Sequence, residues 1–163
     1  MQFKGTSISQ GVAIGQAFLY QPYIYEPTKK KLASGDYNEA LQRYETARRL
    51  ARAELEGICQ KLDDQEEAAI FRAHIDILYD DTLDEEIRDW ITNDGYEGDW
   101  AIYSAFEKYI QILGKGKDQL IRERVADLQD VKNRLLRCYA GVPDRDLGKL
   151  EEPVIIVTHD LLP

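Results

Sequence analysis

The stretch DQEEAAIFRAHIDILYDDTLDEEIRDWI, residues 64–91, decides the architecture. Ala68, Phe71, Ile75 and Leu78 recur at three- and four-residue steps, the spacing that lines one face of an α-helix. That stripe then meets Asp80-Asp81-Thr82, residue types that favour caps and turns over helix interiors. Thr82 followed by Glu85 has the spacing of a capping box, so the pattern predicts a helix that stops or kinks here and restarts at Leu83, continuing through Ile87 and Ile91. A break in the middle of an amphipathic stretch exposes backbone and offers a site.

Helical sequence extends on both sides. Upstream, Ala40, Tyr44, Ala47, Ala51, Leu55 and Ile58 share one face of a helix over about 36–62, with Ser34 or Asp36 available to cap it. Downstream, a loop over 93–98 leads to a third helix over about 99–113, whose apolar positions are Trp100, Phe106, Tyr109 and Leu113. Gly114-Lys115-Gly116-Lys117 turns the chain, and Asp118 can cap a fourth helix to about residue 139 with Ile121, Leu128, Val131, Leu135 and Cys138 inward. Gly141-Val142-Pro143 ends it.

The two ends are written differently. GVAIGQAFLY (11–20) and PVIIV (153–157) are short β-branched or aromatic runs bounded by Gly and Pro, and they read as buried strands. Two terminal strands around four helices predict a mainly helical chain in which the helices form an insertion carried by a sheet. A lone strand pair is marginal in water. Only residues 159–163 follow the second run by more than one position, so the chain reads as a fragment that stops partway into an α/β unit.

Composition narrows the function classes. At 163 residues the chain can bury roughly two-thirds of its unfolded surface without covalent staples. Cys59 and Cys138 are too few and too distant for a disulfide scaffold or a CxxC zinc site, which points to a reducing compartment. No stretch approaches 18 apolar residues and the start lacks a signal-peptide pattern, so the expectation is a soluble, cytoplasmic protein. A net charge of -9 argues against nucleic-acid and anionic-membrane partners. Residues 63–99 hold fourteen acidic side chains against Arg72 and Arg88, a local balance of -12 that leaves about +3 elsewhere. Such a segment is either a solvated helix face or a docking surface for a basic partner.

Chemistry-bearing residues are sparse. His74 sits one position off the apolar stripe beside the acidic segment, where neighbouring carboxylates would favour its protonated form; a boundary histidine without function is the competing reading. No Ser or Cys stands near it as a nucleophile partner. His159 directly follows a strand, where α/β sheets often hold ligands, or where a residue simply caps the strand. Phe71 occupies the position a Glu-x-x-His metal motif would need, 94–99 lack the ligand order of an EF-hand, and the Gly114/Gly116 turn lacks P-loop spacing.

Four segments together resemble the amino-terminal region of enzyme I of the bacterial phosphoenolpyruvate-dependent sugar phosphotransferase system: SISQGVAIGQAFLY (7–20), AIFRAHIDIL with Tyr79-Asp80-Asp81, RERVADLQDVKNRLLRCYAG (122–141) and EEPVIIVTHDLLP (151–163). The resemblance implies a four-helix carrier-binding subdomain with a kinked second helix (33–142), inserted into an incomplete α/β phosphohistidine subdomain (1–32 and 143–163). It implies a parent enzyme that is a phosphoenolpyruvate-protein phosphotransferase, passing a phosphoryl group through a histidine in a Gly-Gly-x-Thr-Ser-His type segment to the carrier HPr. No such segment occurs here. On that ground neither His74 nor His159 is the phosphorylated histidine, and the fragment is expected to be inactive alone, monomeric and without a cofactor of its own. Magnesium and a homodimer are expected of the full-length enzyme.

Carried over residue by residue, the implied HPr-binding surface comprises Ala69, Phe71, His74, Ile77, Asp80, Asp81 and Leu83 along the kinked helix, with Leu113 and Arg124 from the next two. Phe71 has a core reading as well. Asp76 stands where relatives usually carry an apolar residue, making the patch more polar. Acidic rim residues would steer a basic HPr-like carrier while the apolar centre supplies affinity. A nitrogen-branch or fusion paralogue with a different carrier, and a helical interaction domain without phosphotransfer, are the alternatives.

Overall fold

The computed structural model describes residues 8–20, 25, 27–33, 36–116, 118–143, 147, 150 and 152–158. Ser34, one candidate cap, and His159 lie outside the described residues. The chain forms two compact units, Tyr23–Asp144 and the combination of Met1–Pro22 with Arg145–Pro163.

The larger unit is helical: α1 (Tyr37–Lys61), α2 (Gln65–Leu78), α3 (Asp81–Thr92), α4 (Gly98–Leu113) and α5 (Gln119–Tyr139). Helix α1 packs on α2 and α5, and α4 packs on α5 and α3. The stripe read for α1 is the buried one, since Ala40, Tyr44, Ala47, Ala51 and Leu55 all face the interior; three alanines there let neighbouring helices approach closely. Tyr44, Leu55, Ile87, Ile91, Ile102, Phe106, Val131, Leu135 and Leu136 are the largest fully buried side chains. Each aliphatic or phenylalanine member contributes about 1.5–3 kcal/mol by leaving water. Gly98 opens α4 against α5 so closely that an added Cβ would lie 2.6 Å from the Tyr139 hydroxyl and 2.7 Å from its ring.

The predicted break exists, with a different cap. What reads as one kinked second helix is two helices, α2 and α3, parted at Tyr79-Asp80. Asp80, not Thr82, is the N-cap: its backbone is extended and its carboxylate accepts from the Leu83 amide at 2.9 Å. A carboxylate aimed at a helix N-terminus also meets the favourable end of the helix dipole, which a threonine hydroxyl does not exploit. Helix α3 therefore starts at Asp81, two residues before the expected Leu83, and Thr82 lies inside its first turn. Asp64 and Asp118 cap α2 and α5 through the Glu66 and Leu120 amides. Asp36 occupies the N-cap position of α1 without a side-chain hydrogen bond.

In the other unit, β1 (Gln16–Leu19) and β2 (Val154–Val157) pair in parallel, with Gln16 opposite Val154 and Leu19 opposite Val157. The chain between these parallel strands contains all five helices, so the helical insertion is the connection. The strands are not buried as their composition predicts: Leu19 is 61% exposed and Val157 48%. A two-stranded sheet has no second layer of its own to cover either face.

Candidate functional site

The break between α2 and α3 opens onto a groove of about 530 Å³. One wall is the last turns of α2, with Ala73, Asp76 and Ile77, continued by Asp80, Thr82 and Leu83 around the break. Tyr109 and Leu113 at the end of α4, and Arg124 and Leu128 near the start of α5, form the opposite side. Ile77, Leu83, Leu113 and Leu128 make an apolar floor, while Asp76, Asp80 and Arg124 put charge on its rim.

Five of the nine residues implied for carrier binding line this groove: Ile77, Asp80, Leu83, Leu113 and Arg124. Leu83 is only 7% exposed, so it belongs to the core as much as to the groove. Asp81 is exposed in the first turn of α3, and Ala69 is exposed further back on α2; neither lines the groove. Phe71 is half-buried, packs against the core and meets the His74 ring edge-on at 5.9 Å between centroids. His74 is 2% exposed, which leaves it little surface to offer a partner directly. Ala73, Thr82, Tyr109 and Leu128 complete the groove and were not singled out as contacts from the sequence. Leu128 was legible only as an inward residue of its helix, because its neighbours come from a distant part of the chain.

The carboxylates around His74 come from α5, not from its own acidic segment. Its Nε2 lies 3.3 Å from Asp127 Oδ1, and its Nδ1 lies 3.4 Å from Asp130 Oδ2, an ion pair whose geometry falls short of a hydrogen bond. Burial disfavours the imidazolium, but Asp130 and Asp127 together outweigh it and hold the His74 pKa above the ordinary histidine value. The charges continue outward and inward from there. Asp127 Oδ2 is 3.6 Å from Arg124, and Asp130 is 3.9 Å from Arg134, which reaches Glu54 on α1 at 3.2 Å. Arg137 pairs with the same Glu54 oxygen.

Other acids near the groove are already engaged. Asp84 accepts from the Tyr44 hydroxyl at 2.9 Å and from Arg88 at 2.8 Å, and pairs with Arg48 as well. Burial is the main cause that pushes the Tyr44 phenol far up, with Asp84 adding to it. Glu86 pairs with Lys108 at 2.8 Å. Among the described residues no group of three or more His, Cys, Asp or Glu side chains could hold a metal ion, and no helix is long and apolar enough to cross a membrane.

A helical bundle inserted between two parallel strands is an architecture this chain shares with solved enzyme I amino-terminal structures. An NMR solution structure of Enzyme I superposes with a TM-score of 0.83 at 30% identity, covering 95% of this chain and 64% of that one. The N-terminal domain of Enzyme 1 - Nitrogen gives 0.66 at 22% identity over 91% of this chain and 60% of that one, a likeness of fold alone. Residues 4–124 match the family described as PEP-utilising enzyme, N-terminal, and the chain belongs to that family. Its relatives include the phosphoenolpyruvate-protein phosphotransferases of Mycoplasma capricolum, 28% identical over 165 residues and 99% of this chain, and Haemophilus influenzae, 28% identical over 163 residues and 98% of this chain. The chain spans 28% of the length of each of these relatives.

Proposed function

We propose that the chain is the carrier-docking region of a phosphoenolpyruvate-protein phosphotransferase of the sugar phosphotransferase system, and that the groove between α2–α3 and α4–α5 receives an HPr-like phosphocarrier. The observation that carries this reading is the convergence of Ile77, Asp80, Leu83, Leu113 and Arg124, from four helices and the break, on one groove. An apolar floor with a mostly acidic rim suits a partner that presents an apolar patch ringed by basic side chains. Asp81 and Ala69 extend the docking surface beyond the groove, and Phe71 and His74 support it from beneath. A nitrogen-branch carrier is the weaker alternative, the likeness to that structure being lower in both identity and superposition.

No catalytic residue is assigned among the described side chains. His74 is unsuited to accept a phosphoryl group, since it is 2% exposed and both ring nitrogens face carboxylates. Magnesium remains an expectation for the whole enzyme, and the chain itself is expected to be monomeric. The test is chemical-shift mapping of the 163-residue chain with a purified HPr-type carrier. Perturbations should centre on Ile77, Asp80, Leu83, Leu113 and Arg124; perturbations confined to α1 or to the strands would sink the site. Incubation with phosphoenolpyruvate and magnesium should leave His74 unmodified by mass spectrometry.

A further inference from the structure

His74 sits where the two walls of the groove are tied together. On α2 it is flanked by the groove residues Ala73 and Ile77, and its partner Asp127 on α5 is flanked by the groove residues Arg124 and Leu128. Asp127 is used on both sides: Oδ1 faces His74 at 3.3 Å, and Oδ2 faces Arg124 at 3.6 Å. Arg124 is 57% exposed at its side chain, so it is the movable end of this chain of charges.

We propose that His74 is a positioning residue for the docking groove, its imidazolium clamping α2 to α5 through Asp127 and Asp130 and thereby setting Arg124 at the groove's edge. The carrier arm of the test rests on the docking reading above; the positioning itself does not. With the ring charged, both nitrogens carry protons toward the carboxylates. With the ring neutral, one nitrogen turns a lone pair toward a carboxylate, and two acidic groups on α5 lose the cation between them. Asp127 then has only Arg124 to turn to, which draws the guanidinium away from the groove and relaxes the wall.

Among the described residues, few groups face His74. From α5 they are Asp127 and Asp130, with Arg124 and Arg134 behind them; from α1 the nearest charge in the network is Glu54, held by Arg134; from α2 itself it is the edge of Phe71. Because the folded pKa of His74 is raised, the clamp is fully present below the unfolded value, near 6.5, and is lost as pH rises through the folded value. Deprotonation also adds negative charge, which would speed encounter with a basic carrier, so the informative quantity is the dissociation rate at salt high enough to screen steering.

The experiment follows the His74 ring by NMR in the 163-residue chain, where only two histidines need assigning, together with the Arg124 side-chain Nε–H and the Leu128 methyls. Arg124 and Leu128 should shift with the midpoint of His74, that midpoint should lie above an ordinary histidine and fall in Asp127→Asn, and both responses should vanish in His74→Gln. Dissociation of a purified HPr-type carrier should quicken by about fivefold through the same midpoint, the low end of ordinary coupling between sites, and should be independent of pH in His74→Gln. Arg124 and Leu128 signals that stay flat while His74 titrates, or that titrate unchanged in His74→Gln, overturn the positioning role. A carrier that never binds, with the NMR coupling intact, supports the positioning role and overturns the docking reading instead; a carrier that binds with a dissociation rate indifferent to His74 overturns the proposal.

Discussion

The acidic segment 63–99 divides into two halves that share a composition and differ in what they meet. In the later half, Asp84 is shared by Arg48, Arg88 and Tyr44, Glu86 is held by Lys108, and Asp99 accepts from Tyr25 at 2.6 Å. In the earlier half, Asp76, Asp80 and Asp81 gather around the α2–α3 break, exposed and, among the described residues, outside any ion pair. A count of charges along the chain therefore overstates the acidity of one face and understates its focus on the other. The cations that pair with Asp84 and Glu86 come from α1, from α3 itself and from α4, and α1 is part of the chain's more basic remainder.

The comparison breaks most visibly at Asp84. Removing its carboxylate in Asp84→Ala leaves Arg48, whose side chain is 14% exposed, with its charge uncompensated beside the buried Tyr44. Truncating one partner of a largely buried charge cluster costs more than the cluster's net worth, because the survivor keeps its desolvation penalty. We expect a loss of about 2–4 kcal/mol in the unfolding free energy, read from the urea midpoint. Asp81→Ala, from the exposed half, should stay within about 0.5 kcal/mol of the parent. Equal losses at the two sites would remove the distinction drawn between the halves.

Asp80 belongs to both categories and should behave in between. Its carboxylate caps α3 through the Leu83 amide, so Asp80→Ala should cost about 1 kcal/mol, and Asp80→Asn, which keeps a capping oxygen, distinctly less. Hydrogen exchange at the Leu83 amide checks the mechanism, since it should quicken in Asp80→Ala far more than in Asp80→Asn. Full retention of that protection in the alanine variant would mean that the break is held by packing and not by its cap.

Where the sequence could be read, the signal was local. The α1 stripe follows from helical spacing alone, and its five members from Ala40 to Leu55 are buried as read. The position of the break was legible because acidic and hydroxyl side chains interrupt an apolar period, but Asp80 and Thr82 both qualify as caps on composition. Only the backbone, extended at Asp80 and helical at Thr82, separates them. The groove was half legible: Ile77, Asp80, Leu83, Leu113 and Arg124 came through family resemblance, whereas Tyr109 and Leu128 join it through packing of α4 and α5 that no spacing rule encodes. His74 shows the same limit in its partners. Carboxylates were expected beside it, and the pair it found lies 53 and 56 positions further on. The strands misled in the opposite sense, since VIIV is written for burial, yet Ile155, Ile156 and Val157 are 37%, 40% and 48% exposed.

The smallest effect on stability is expected where the effect on encounter is greatest. Asp76 and Asp81 are exposed on either side of the break, and Asp76 is on the groove rim itself. The double variant Asp76→Asn/Asp81→Asn should leave the urea midpoint nearly unmoved, because neither carboxylate caps a helix or forms an ion pair among the described residues. It should slow association of a basic carrier several-fold at low salt, since removing two charges from a focused acidic rim weakens long-range attraction. Raising the ionic strength to 1 M shrinks the screening length to about 3 Å and should bring the two association rates together, while the dissociation rates, set by contact with the apolar floor, stay close throughout. A rate difference that survives high salt would mean that Asp76 or Asp81 makes a short-range contact in the complex, and a difference absent even at low salt would return the exposed half of the segment to an ordinary solvated helix face.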